Sequence, residues 1–483
     1  MTEHSLFAKR VGLTAVSTLI VSLAPIILLA VLTKTTTAAG YGVWIQVTVT
    51  TDVLPLLTTL GLTVAMMRLL AGTEDRDAIR EGFYASLSIA LLSSALVAFV
   101  FYLLAESLAR LLFDGNTTVT TILPAIIFIS SFNYMCLGYF RAKQQIKRFA
   151  FFTALQPCFT VVVVSTFVLR GYGISGAVLG LLLAQLLVSL LLAFRIISEL
   201  GVVFPTFAHA RSYLSLGLPT VPSNLSYWIV NSSDRYVISI FWGAVAVGYY
   251  SPGYTIGYSI VLAVTPVSVI LLPTLSAYFD NHRLDHVKTT LSYCLKYFLA
   301  LAIPAAFIIS LLSKQILTIL STPDIAAQGY AVTPYITASA LLFGIYGLIG
   351  NVLVLEKRTP LLGTIWLLAA ALNLVLTLFL VPRIGIIGAA IATLFAFACV
   401  FVLVAYYARS YIRVGTNAQF ALKSIVASLA MSLVVVAVKP QGLLPVVLIV
   451  ALCACIYVML LWVLKGIGDE EVAFFKNLLR RTF

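Results

Sequence analysis

Residues 174–194 read ISGAVLGLLLAQLLVSLLLAF, an uninterrupted apolar run with no charged side chain. About 20 apolar residues is the length a helix needs to cross the hydrocarbon of a bilayer, and only a helix satisfies its own backbone there. The same unit recurs along the chain. Apolar runs near 11–33, 43–67, 83–104, 118–140 and 149–169 precede it. Others follow near 213–240, 245–275, 291–312, 328–355, 361–381, 386–408, 419–438 and 443–464. This rhythm predicts an all-α polytopic membrane protein of about fourteen spans. Composition agrees: 61% of residues are hydrophobic, 10% are charged and the mean hydropathy is +1.07. Soluble domains carry about 25% charged residues. The apolar stretch behind Lys9 and Arg10 is too long for a signal peptide and reads as a retained span.

The basic residues give an orientation. With fourteen spans, alternate loops fall into two sets. The set away from the termini holds only Lys34, Arg110, Arg170, Lys314, Arg383 and Lys439, while most of the rest lie in the set containing the termini. That bias predicts a multi-pass cell-membrane protein with both termini cytoplasmic. The net charge of +13 therefore follows from topology and implies no nucleic-acid partner. Cys136, Cys158, Cys294, Cys399, Cys453 and Cys455 all lie in apolar runs and read as small hydrophobes. His282 and His286, beside Asp280 and Asp285, lack the closed ligand set of a structural zinc site, and no metal or cofactor is expected. No P-loop is present, so ATP is not the expected energy source.

Landmarks repeat. Arg170-Gly171-Tyr172-Gly173-Ile174-Ser175-Gly176-Ala177 answers Pro382-Arg383-Ile384-Gly385-Ile386-Ile387-Gly388-Ala389, Gly40-Tyr41-Gly42 answers Gly248-Tyr249-Tyr250, and Gln144-Gln145 answers Glu356-Lys357. Repeats that each begin on the cytoplasmic side are parallel, and such repeats form two bundles around a central cavity. The expected organisation is a six-helix lobe at 1–200, a second at 201–412 in parallel pseudo-twofold repeat, two additional helices at 413–464, and an amphipathic tail at 465–483 lying on the cytoplasmic leaflet.

Polar residues inside spans mark candidate sites. Asn224, Trp228, Asn231 and Arg235 share one helix face, with Asp234 beside Arg235. The face has two readings: a headgroup site, in which Arg235 meets phosphate through its bidentate fork, or a structural Asp–Arg pair. Asp52 is likewise either a proton or sodium site or a partner for Arg235 or Lys34. Tyr250, Tyr254 and Tyr258 recur every four residues, as sugar-stacking faces or as packing.

Around this face the sequence becomes recognisable. Gly217-Leu218-Pro219-Thr220-Val221-Pro222-Ser223-Asn224, Asn231-Ser232-Ser233-Asp234-Arg235-Tyr236 and Ala246-Val247-Gly248-Tyr249-Tyr250-Ser251 resemble the polysaccharide transporter family of oligosaccharide flippases. That family belongs to the multidrug/oligosaccharidyl-lipid/polysaccharide exporter superfamily. Gly40-Tyr41-Gly42-Val43-Trp44, Leu60-Gly61-Leu62 and Arg68 resemble its first two spans. The resemblance implies a flippase, not an enzyme. It would carry a polyprenyl-phosphate-linked oligosaccharide from the cytoplasmic to the outer leaflet for cell-surface glycan assembly, by ion-driven alternating access. Its implied partners are that lipid-linked oligosaccharide, membrane lipid, a coupling proton or sodium ion, and polysaccharide assembly enzymes. On this reading Arg235, Asn224, Asn231, Trp228, Tyr254 and Tyr258 face the headgroup, and Asp52 and Asp234 serve ion coupling or charge pairing. The alternatives are a multidrug antiporter of the same superfamily, or a polysaccharide polymerase or glycosyltransferase. An enzyme of that kind needs clustered groups in a large outer loop, whereas Glu106, Asp114 and Asp324 are scattered among short ones.

Overall fold

The computed structural model describes residues 3–412, 415 and 417–466. The described residues fold into α- and 3₁₀-helices joined by short loops, with no strand among them. Beyond Gly466, the expected amphipathic tail lies outside the described residues.

Among the described residues, eleven helices are long and apolar enough to cross a membrane. A twelfth span results when Ala38–Thr58 and Leu62–Leu69, bent by 51°, count as one. The chain is thus a multi-pass membrane protein, but the expected fourteen spans are not reached on this criterion. The shortfall lies at 213–240 and 245–275. Here Val221–Tyr258 comprises two helices that meet at a kink at Gly243 (φ 75°, ψ 176°), a backbone conformation open essentially to glycine alone. A 3₁₀ stretch, Ser259–Ala263, and the 16-residue helix Thr265–Asp280 follow. The first half of Val221–Tyr258 carries Asn224, Asn231, Asp234 and Arg235, which makes it too polar to register as an ordinary span.

Two packing units emerge. One holds residues up to Thr255 together with Pro360–Cys399, and the other holds Ile256–Thr359 with the residues from Val400 onward. The core of the first unit includes Leu62, Met66, Phe83, Met135, Phe140 and Leu192. The second is built on Leu291, Leu295, Phe298, Met431, Cys453 and Leu461. Apolar side chains also face outward along many helices, among them Leu92, Phe194, Leu433 and Trp462, because the hydrocarbon solvates them as well as the core does. Cys136 and Cys453 are buried as expected, but Cys158 and Cys455 are exposed. Lipid offers a small hydrophobe as good an environment as the core, so an apolar run alone does not say which way a cysteine points.

The repeat has local counterparts. Gln144 and Lys357 both adopt positive φ, 54° and 55°. In each hinge the next amide reaches back five residues: Gln145 N donates to Phe140 O and Arg358 N to Leu353 O, both at 2.8 Å. This is the same helix-terminating turn twice, one residue away from the alignment read in the sequence.

Within the first unit, Gly42 and Gly248 sit where two backbones touch. A Cβ on Gly42 would run into the carbonyl of Ala244, and one on Gly248 into the carbonyl of Ala38. The contact is reciprocal: Ala38 and Gly42 face Ala244 and Gly248, small residues four apart on both sides, as in close-packed membrane helices.

Candidate functional site

The polar face of Val221–Trp242 lies wholly in the first unit. Along it exposure falls from Asn224, which is open, through half-buried Trp228 and Asn231, to Arg235 at 7% and Asp234 at 0%. Asp234 and Arg235 form an ion pair, with Nη1 of Arg235 2.8 Å from Oδ1 of Asp234. The amide of Arg235 also donates to Oδ1, at 2.9 Å. The second oxygen, Oδ2, accepts the hydroxyl of Tyr250. Nη1 of Arg235 also donates to the carbonyl of Asn231, whose own Nδ2 donates to Tyr227 O at 2.8 Å. The guanidinium lies over the rings of Tyr254 at 3.8 Å and Tyr250 at 5.5 Å, contacts that favour a desolvated cation.

The helix Ala38–Thr58 closes the other side. Gln46 Nε2 donates to the carbonyl of Arg235 at 2.8 Å, and Thr50 shares a 2.6 Å hydrogen bond with the Tyr236 hydroxyl. Asp52 is exposed yet within electrostatic reach of Arg235 and Tyr236. It forms no ion pair among the described residues; the partner of Arg235 is Asp234.

The structure thus unites Asp234, Arg235, Asn231 and Tyr254 in one cluster, with Asp52 beside it. Asn224 lies turns away on the open part of the face. Trp228 packs its ring 5.8 Å from that of Tyr236, and its enclosed Nε1 has no hydrogen-bond partner. Tyr258 belongs to the second unit, where its ring lies 6.1 Å from Phe343.

A group that sequence reasoning missed comes from the helix Thr359–Ile384. The rings of Tyr227 and Trp366 are 5.1 Å apart, and Trp242 Nε1 donates to Val381 O at 2.9 Å, an offset of 139 residues. Tyr227 and Trp366 have the same offset, so Val221–Trp242 and Thr359–Ile384 run parallel in register. The residue at that offset from Asp234 is Asn373. Its side chain is 0% exposed, and neither its Oδ1 nor its Nδ2 has a partner. Thr393, at 1% exposure on the returning helix Ile386–Arg409, has an equally orphaned Oγ1. The returning helix meets Thr359–Ile384 again where the rings of Trp366 and Phe397 lie 6.2 Å apart. A buried polar atom without a partner costs about 1–3 kcal/mol, and Asn373 and Thr393 leave three such atoms. The signal was visible: Asn373 is the lone amide in the run 361–381.

The side-chain oxygens of Asp234, Asn373 and Thr393 are all hard donors: a carboxylate, an amide carbonyl and a hydroxyl. Such a set fits a hard cation. Among the described residues, no group of three or more His, Cys, Asp or Glu is positioned to hold a metal ion.

Comparison with known proteins places this geometry in context. Residues 31–324 match the family described as polysaccharide biosynthesis protein. The chain is 25% identical over 210 residues, 44% of each chain, to the "Probable low-salt glycan biosynthesis flippase Agl15" of Haloferax volcanii. It is 26% identical over 274 residues, 56% of each chain, to the "Probable flippase AglR" of the same organism. The matched region thus spans about half the length of these relatives. In fold, the lipid II flippase MurJ in its inward closed conformation superposes with a TM-score of 0.78 over 97% of this chain and 99% of that one, at 16% identity. An inward-facing multidrug resistance MATE family transporter of the MOP superfamily gives 0.65 over 81% and 93%, at 17% identity.

Proposed function

Because the chain belongs to the polysaccharide biosynthesis protein family, we propose that it is a flippase carrying a polyprenyl-phosphate-linked oligosaccharide between leaflets for surface glycan assembly. The observation that carries this reading is the family match over residues 31–324, together with two relatives named as flippases. The additional helices Ala418–Val438 and Leu443–Val463 favour it over a drug antiporter.

The proposed mechanism is alternating access from cytoplasmic to outer leaflet. The six-helix lobes 1–200 and 201–412 are its moving parts, and the bias of basic residues supports cytoplasmic termini. The open face at Asn224, Trp228 and Asn231 offers amide and indole donors to a sugar-phosphate headgroup, and Arg235 is the cation that meets its phosphate. Tyr254 backs that guanidinium rather than stacking on sugar. Tyr258, in the second unit, is assigned to sugar contact. Assembly enzymes of the glycan pathway are the proposed partners for substrate delivery.

We assign the coupling ion to sodium at Asp234, Asn373 and Thr393. A proton needs one carboxylate and no further oxygens. The orphaned Asn373 Oδ1 and Thr393 Oγ1 make sense when a bare cation takes oxygen ligands from both helices. Asp234 neutralises the ion, and Nδ2 of Asn373 steadies the carboxylate.

The test is flipping of a lipid-linked oligosaccharide by the reconstituted protein, with and without a sodium gradient. Sodium-dependent transfer by the wild type, lost in Asp234→Asn, is expected. Transfer driven equally well by a pH gradient in sodium-free medium would refute the ion assignment. Export of cationic dyes with no transfer of lipid-linked sugar would overturn the flippase reading in favour of the antiporter.

A further inference from the structure

A cluster of lysines stands in the second unit, where the helices Leu284–Leu311, Ala418–Val438 and Leu443–Val463 meet. Lys423, near the start of Ala418–Val438, donates from Nζ to the carbonyl of Lys465, just past the end of Leu443–Val463, at 3.0 Å. The ammonium of Lys296, on Leu284–Leu311, lies 5.2 Å from the centre of the Phe420 ring. Phe420 is three residues before Lys423, a spacing that makes side chains neighbours on a helix. A Cβ on Gly466 would lie 3.7 Å from the same ring. Phe420 thus gathers lysines from all three segments. Lys296 and Lys423 are half-buried and Lys465 is exposed.

The level of this cluster is a membrane surface. Ala418–Val438 and Leu443–Val463 each have the length and apolarity of a span, and the Lys423–Lys465 bond joins the start of one to the end of the other. Trp462 beside that end is 67% exposed, and Tyr293 and Tyr297 are each 43% exposed on the helix of Lys296, their rings 6.2 Å apart. Outward Trp and Tyr mark the headgroup zone of a bilayer.

The first unit shows how this chain supplies its own counter-ion. There Arg148 is met by Glu199, which also accepts from Tyr139 at 2.9 Å and Gln145 at 2.6 Å. Among the described residues, no carboxylate pairs with Lys423 or Lys465. The bond to Lys465 uses one of three N–H donors on Lys423. Basic pockets between membrane helices take lipid phosphates, and long lysine stems reach to the headgroup while lying along apolar surface.

We propose that Lys296, Lys423 and Lys465 form a headgroup site for an anionic phospholipid. Its phosphate is the counter-ion for these lysines that Glu199 is for Arg148, and it ties the two additional helices to Leu284–Leu311. The site shares no residue with the Asp234–Arg235 cluster and stands without the flippase reading. Asp469, Glu470 and Glu471 follow in the sequence and are the rival counter-ions.

The experiment uses the full-length protein in detergent, titrated with phosphatidylglycerol or phosphatidylcholine. Native mass spectrometry counts retained lipid, and thermal unfolding is followed in parallel. The wild type is expected to retain phosphatidylglycerol in preference to phosphatidylcholine and to unfold at higher temperature with it. Lys296→Gln/Lys423→Gln should weaken phosphatidylglycerol binding by roughly 25-fold, about fivefold for each lysine facing anionic lipid. Lys288→Gln is the control, its ammonium lying 3.2 Å from Asp285, and should leave that binding unchanged. Lys296→Arg/Lys423→Arg keeps the charge and should keep most of the binding. Lysines that serve only as structural glue predict equal destabilisation of the Gln pair in either lipid, and that result would overturn the site. If the Gln pair does not fold, the wild type still decides: retention of both lipids alike refutes the proposal. Equal protection by glycerol phosphate, which has no acyl chains, would mean a soluble anion and not a lipid. A marked gain in phosphatidylglycerol binding by Asp469→Asn/Glu470→Gln/Glu471→Gln would give the lysines to the tail.

Discussion

Two buried polar networks lie in the first packing unit, and they differ in whether their hydrogen bonds close. The first joins the helices Thr117–Ala142 and Gly173–Leu200. Ser130 donates to Gln185 Oε1 at 2.7 Å, Asn133 Nδ2 to Gln185 O at 3.3 Å, and Ser189 to Asn133 Oδ1 at 2.7 Å. All four side chains are below 9% exposure, and none has an orphaned atom. The second network holds Asp234 and Arg235, fully engaged, beside Asn373 and Thr393, which have three atoms engaged with nothing. Small amides and hydroxyls between membrane helices serve as glue when satisfied. Left open, the same residue types are the ones on which the proposed ion site draws. The contrast separates structure from function where residue type alone does not.

The largest expected effect is at Asp234. Asp234→Asn removes one member of a buried pair and leaves Arg235 uncompensated, a loss of about 3–5 kcal/mol in stability. Thermal unfolding in lipid should show it. The double variant Asp234→Asn/Arg235→Gln should regain most of that stability without regaining sodium-dependent transfer. A double variant as unstable as the single one would mean that packing, and not the unpaired charge, governs this position.

The two asparagines test the contrast directly. Asn133→Ala removes the bonds from Asn133 Nδ2 to Gln185 O and from Ser189 to Asn133 Oδ1, at a cost of about 1–3 kcal/mol. Asn373→Ala in sodium-free medium loses no hydrogen bond, so its effect should be the cavity alone and clearly smaller. In sodium the order should change: the wild type gains stability from the ion, and Asn373→Ala gains little. Equal losses for the two variants in sodium-free medium would break the comparison.

The crossing of Ala38–Thr58 with the segment after Gly243 holds the open network against its neighbour. Gly42→Ala and Gly248→Ala each drive a methyl into a backbone carbonyl, an overpacking that costs about 1–3 kcal/mol. Because the contact is reciprocal, the double variant should cost less than the sum of the singles, the first methyl having already parted the helices. Strict additivity, read from unfolding midpoints, would show that the two glycines act independently.

The fold was largely legible because lipid demands long apolar helices, and hydropathy reports those directly. Around Val221–Tyr258 hydropathy reports less, because the side chains of the polar face depress it, and Gly243 kinks the chain between two helices. The pairing of Asp234 with Arg235 was legible because the two are neighbours in one span, whereas Tyr254, read as a sugar-stacking or packing face, lies beyond the kink at Gly243 and meets Arg235 only in three dimensions. Asp52 was legible as an ionisable residue in a span. Asn373 and Thr393 were not, since nothing in sequence sets the register between Val221–Trp242 and Thr359–Ile384. That register rests on the pairs Tyr227–Trp366 and Trp242–Val381, contacts between residues far apart in the chain. Trp228 was singled out as a headgroup contact on spacing, and the structure adds that its Nε1 is enclosed and unpartnered.

The smallest effect, and the sharpest test of the contrast, is at Thr393. Thr393→Val keeps the branched shape and removes only the hydroxyl. Where a hydroxyl has no partner, its removal breaks no hydrogen bond and relieves the cost of burying it, so stability without sodium should stay within about 0.5 kcal/mol of wild type. Sodium affinity should nevertheless fall several-fold, because a ligand oxygen is gone. Thr377 supplies the control: its hydroxyl is equally buried but donates to Asn373 O at 2.7 Å, so Thr377→Val should lose that bond's contribution of about 1 kcal/mol. If Thr393→Val proves as costly as Thr377→Val without sodium, its hydroxyl is satisfied in the membrane-embedded protein. The second network would then be as closed as the first, and the oxygens assigned to the ion would be glue.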